Sequence, residues 1–81
     1  MRFNYDEWVK IYSQAYGGPF GIESNRNGIK NNIKNASKSK YAHIDFNIEL
    51  LDRKTLTEII NAAIEDGILV ENNKFYRLIK R

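Results

Sequence analysis

At 81 residues, 42% hydrophobic and 28% charged, the chain has room for one domain, residues 1–81, and too much apolar content for a disordered one. The absence of cysteine excludes disulfides and thiolate metal sites and fits a reducing, cytoplasmic compartment. The net charge is +3, but residues 22–40 alone hold Arg26, Lys30, Lys34, Lys38 and Lys40 against Glu23, which points to an anionic partner.

In chain order, Met1–Lys10 lacks the charged start and apolar run of a signal peptide. Asp6 is a candidate cap for a helix from Glu7 to about Tyr16, with Trp8, Ile11, Tyr12, Ala15 and Tyr16 as its apolar stripe and Gly17 as its stop. Residues 17–21, Gly-Gly-Pro-Phe-Gly, form a loop. A second helix is predicted from Ser24 to about Ala36 on the spacing of Ile29, Ile33 and Ala36, although Gly28 and five asparagines weaken it. After a polar linker at 37–40, Ile44, Phe46, Ile48 and Leu50 alternate with polar residues, which favours a strand over 43–50. A short helix capped by Asp45 is the competing reading of that segment.

Thr55-Leu56-Thr57-Glu58 matches a capping box, and Leu56, Ile59, Ile60, Ala63 and Ile64 give the following helix its inward face up to Gly67. Ile68–Val70 and Phe75–Ile79 flank Asn72-Asn73, a hairpin signal. The predicted architecture is a small α+β domain in the order helix, helix, strand, helix, β-hairpin. No segment has the roughly 20 apolar residues that cross a bilayer, so no membrane partner is expected.

From Lys54 to Arg81 the sequence resembles the second half of a winged-helix domain, with a helix bearing Leu56, Ile59, Ile60, Ala63 and Ile64, then Gly67, then the strands Ile68-Leu69-Val70 and Phe75-Tyr76-Arg77-Leu78. The resemblance implies a core helix followed by a two-stranded wing, and DNA binding; a helix-turn-helix would also need Phe46–Asp52 to be helical, against the alternation there. It departs from the family at the helix that would enter the major groove, where Thr57, Glu58, Asn61, Glu65 and Asp66 are the outward positions. Carboxylates there repel phosphates.

Function is therefore sought in the basic segment. Arg26, Lys30, Lys34 and Lys38 recur every four residues and form one row on a helix. Like charges so spaced destabilise the helix by a few tenths of a kcal/mol per pair, and an anion would compensate. DNA or RNA phosphates, or an acidic protein surface, fit that need, with Lys40 and Arg77 as further contacts and the asparagines as hydrogen-bonding partners. A solvated face serving only solubility is the plainer alternative. The aromatics Tyr5, Trp8, Tyr12 and Tyr16 are expected in the core rather than stacked on bases.

Two functions follow: a small nucleic-acid-binding or regulatory protein, or a phage or mobile-element type inhibitor that docks on a larger complex such as a defence nuclease. In the second, Glu58, Glu65 and Asp66 could imitate phosphate. A homodimer is compatible with either, through an unpaired edge of the terminal hairpin. Catalysis is not expected. His43 and Asp45 are too few for a metal site, the glycine-rich loop lacks the lysine and hydroxyl of a phosphate-cradling motif, and no cofactor is implied.

Overall fold

The computed structural model describes residues 2–13, 20–38 and 52–81. Three helices, α1 (Tyr5–Tyr12), α2 (Arg26–Lys38) and α3 (Arg53–Glu65), precede an antiparallel hairpin of β1 (Leu69–Asn72) and β2 (Phe75–Leu78). This is a small α+β fold. The strand expected over 43–50 lies outside the described residues, as does Tyr16.

Each helix begins at a different residue from the one expected. Asn4 caps α1, accepting from the Glu7 backbone N–H at 2.9 Å while the Glu7 carboxylate accepts from the Asn4 N–H at 3.0 Å. Asp6 sits inside the first turn, where its charge suits the helix dipole. The helix ends at Tyr12, with Ser13 as its C-cap. At α2, Asn25 rather than Ser24 takes the capping role, accepting from the Gly28 N–H at 2.8 Å. At α3, Asp52 accepts from the Thr55 N–H at 2.7 Å, so the Thr55–Glu58 capping box is not formed. In all three the side-chain oxygen one turn upstream satisfies a backbone donor that the helix leaves free.

The end of α3 is sharper. Gly67 has φ +71°, and its N–H donates to the Ile64 carbonyl at 3.1 Å while that of Ile68 donates to Ala63 at 2.9 Å. This paired arrangement needs a left-handed residue after the helix, which glycine supplies without a Cβ clash. It turns the chain directly into the hairpin.

The hairpin turn is Asn73-Lys74, one residue later than expected. Both have positive φ, +50° and +67°, the geometry that matches strand twist in a two-residue turn. Leu69 pairs with Leu78 and Glu71 with Tyr76 on one face, Val70 with Arg77 and Asn72 with Phe75 on the other. Leu69, Tyr76 and Leu78 point into the core. Ser24 makes a single antiparallel bridge to Tyr76, through bonds of 2.9 and 2.8 Å.

The core is where all five elements meet. α1 contributes Trp8, Ile11 and Tyr12, α2 contributes Ile29, Ile33 and Ala36, and α3 contributes Leu56, Ile59, Ile60 and Ala63. Phe3 packs edge-on against Trp8, with ring centroids 5.8 Å apart. Trp8 and Tyr12 are thus core residues, as expected. Tyr5 is half-buried, and its hydroxyl ties the chain end to α1 by donating to the Ile79 carbonyl at 2.8 Å.

Burial also accounts for α2. Its glycine and asparagines disfavour a helix by on the order of 3 kcal/mol in sum relative to alanine. Ile29 and Ile33 are fully buried, and two such side chains contribute about 3–6 kcal/mol. Packing outweighs propensity.

Candidate nucleic-acid interface

The basic row of α2 divides into two parts. Arg26 is half-buried and turned toward the sheet. Its guanidinium lies 5.2 Å from the centroid of the Tyr76 ring. Nε donates to the Tyr76 hydroxyl at 3.1 Å and Nη2 to the Asn61 Oδ1 at 2.9 Å. Among the described residues Nη1 is buried with no partner. Arg26 therefore joins α2 to β2 and α3.

Lys30, Lys34 and Lys38 differ. Lys34 and Lys38 are exposed and Lys30 is half-buried. The helix keeps them along one side because Ile29, Ile33 and Ala36 hold the other against the core. Among the described residues no carboxylate forms an ion pair with any of the three. Lys30 and Lys34 line a groove of about 370 Å³ together with Asn27, Asn31, Leu56 and Arg53. Arg53 opens α3 and was not singled out from the sequence. The contact of α2 with α3 brings it beside the lysines. Among the described residues, the groove thus has three cations and two asparagine amides on its walls and no carboxylate.

Lys40 lies outside the described residues. Arg77 is exposed on the outward face of β2 and lines a different groove, with Phe20 and Lys80. The basic hairpin and the α2 lysines therefore form two surfaces rather than one. The N-terminal end of α2 does reach the hairpin, where Asn25, Arg26 and Asn27 share a hollow with Glu71, Lys74 and Tyr76. Glu71 places a negative charge there.

The acidic positions of α3 have their own partner. Arg2 donates from Nη1 to both carboxylate oxygens of Asp66, at 2.8 and 2.9 Å, and its Nη2 stands 3.7 Å from Glu65. Glu58 and Asn61 are exposed on the same helix. Among the described residues no three His, Asp or Glu side chains are grouped to hold a metal ion, and no helix is long and apolar enough to cross a membrane. Comparison of the chain with protein families, with curated proteins and with solved structures finds no match.

Proposed function

We propose that the chain is a small nucleic-acid-binding protein that grips phosphates along α2 and the first turn of α3. The observation behind this is the groove lined by Lys30, Lys34 and Arg53, with no acidic side chain on its walls among the described residues. Lys38 extends the same row. Three lysines with no carboxylate partner among the described residues, on a helix of poor intrinsic propensity, cost stability, and phosphates would reverse that cost. Asn27 and Asn31 can donate from their amides to phosphate or sugar oxygens between the cations.

The chain order of α1, the Ser24 bridge, α2, α3 and the hairpin supports a winged-helix-like arrangement. Binding would nevertheless differ from that of a helix laid in the major groove. The outward side of α3 carries Glu58, Asn61 and Glu65, so phosphate contact falls to α2 and to Arg53. Recognition is then of the backbone, and affinity is electrostatic with little dependence on sequence. The alternative, an inhibitor whose acidic face imitates phosphate, has less support, because Arg2 already occupies Asp66.

Titration of the ¹⁵N-labelled protein with a short DNA duplex tests the location. Amide shifts concentrated at 27–38 and 53–54 are expected. Shifts concentrated around Glu58, Glu65 and Asp66, or none at low salt, would overturn the proposal.

A further inference from the structure

The described residues expose three large hydrophobic side chains, Phe20, Val70 and Phe75; Arg77 is paired with Val70 in the hairpin and shares a groove with Phe20. Val70 pairs with Arg77 and Asn72 with Phe75, so strand alternation puts these four on the outward face of the hairpin. Phe20 lies alongside, lining a groove of about 400 Å³ with Arg77 and Lys80. The two rings are well presented, with Phe75 46% and Phe20 39% exposed. The single carboxylate of the hairpin, Glu71, pairs with Tyr76 on the opposite face.

We propose that this outward face is a second site, separate from the α2 groove, that binds single-stranded RNA or DNA. Unpaired bases stack on Phe75 and Phe20, and Arg77 and Lys80 contact the intervening phosphates. Two features favour this class of ligand. Aromatic rings beside cations suit a strand that offers a flat base and a phosphate at each step. A wholly apolar partner would instead desolvate the guanidinium of Arg77, which shares the outward face with Val70 and Phe75, with no anion to meet it. The inference goes beyond the α2 site, which needs only phosphates and no unpaired base. The two grooves have no residue in common.

The test uses the full chain carrying Lys30→Glu and Lys34→Glu, which silences the α2 groove, and a fluorescein-labelled oligo-U or oligo-dT strand followed by anisotropy. Single-strand binding is expected to persist in that background and to fall about 10- to 100-fold when Phe75→Ala is added, the range for loss of one stacked base. Phe75→Tyr should retain it. An unchanged circular dichroism spectrum shows that each variant is folded, and Arg77→Ala supplies a second probe of the face. The proposal is overturned if the charge-reversed protein no longer binds the strand, or if Phe20→Ala/Phe75→Ala binds as tightly as its parent. It is equally overturned if the chain sediments as a dimer that Phe75→Ala dissociates, since the face would then be occupied by a second copy. Failure of the α2 proposal reads differently, as duplex binding that ignores Lys30→Glu/Lys34→Glu.

Discussion

Replacing Arg26 with alanine removes the side chain that joins three elements. Two hydrogen bonds disappear, from Nε to the Tyr76 hydroxyl and from Nη2 to Asn61, along with the stacking of the guanidinium over the Tyr76 ring. A bond to a charged group contributes about 1.5–3 kcal/mol where water is excluded. Tyr76 is buried but Asn61 is exposed, so only the first bond belongs in that range. The cation–ring contact adds about 0.5–1 kcal/mol. Against these stand the buried Nη1, without a partner among the described residues, and the repulsion of Lys30 one turn on, about 0.2–0.5 kcal/mol. The net loss is on the order of 2 kcal/mol, or roughly 8–16 °C in Tm for a domain of this size. Thermal unfolding followed by circular dichroism measures it. Lys34→Ala on the same helix should leave Tm unchanged or raise it slightly. A Tyr76→Phe cycle should show that most of the Arg26 effect is shared with the hydroxyl. A fall of less than about 3 °C for Arg26→Ala would refute the argument, because Arg26 would then be as dispensable to the fold as the exposed lysines.

Three other residues make separate predictions. Lys74 occupies the second turn position at φ +67°, so Lys74→Gly should stabilise the hairpin by about 0.5–1 kcal/mol, read as a higher urea midpoint, whereas Lys74→Ala should not. Burial holds the Tyr12 phenol well above the usual tyrosine value. The folded state keeps that proton where the unfolded chain loses it, so stability is full below about pH 10 and declines above it. Tyr12→Phe should flatten the decline and, because the hydroxyl has no partner among the described residues, cost little at neutral pH. The Thr55 backbone N–H holds the Asp52 carboxyl below its usual value. Its stabilisation is present above the unfolded carboxylate range near pH 4 and lost as pH falls through the lower folded value. Asp52→Asn, which keeps the cap oxygen but not the charge, should shift the acid unfolding limb while leaving α3 formed.

Much of the fold was legible because its signals are local. The apolar stripes of α1, α2 and α3, the Gly67 stop and the hairpin follow from spacing and turn chemistry alone. The caps were misplaced because several Asp, Ser and Thr side chains near each start could serve. Asn4 with Glu7 satisfied the capping-box pattern as well as Thr55 with Glu58 did, and only the folded backbone chose between them. Arg26 was grouped with the lysines by its four-residue spacing. It is also three residues from Ile29 and seven from Ile33, which placed it at the border of the buried stripe. Its partner Tyr76 lies 50 residues away, beyond any local pattern. Arg53 stayed hidden for a similar reason, since it belongs to a segment of balanced charge and meets Lys30 and Lys34 only through the packing of α2 on α3. The outward face of the hairpin became visible only once the register showed which side Phe75 and Arg77 share.

The most direct test of phosphate binding by α2 is the salt dependence of duplex affinity, measured by anisotropy for the wild-type chain and for Lys30→Glu/Lys34→Glu. If Lys30, Lys34, Lys38 and Arg53 each neutralise a phosphate, log K should fall against log salt with a slope of about −3 to −4. The double variant should bind much more weakly at low salt, with a slope shallower by about two. A wild-type chain that ignores the duplex at low salt, or a variant that matches its affinity and slope, would contradict the account.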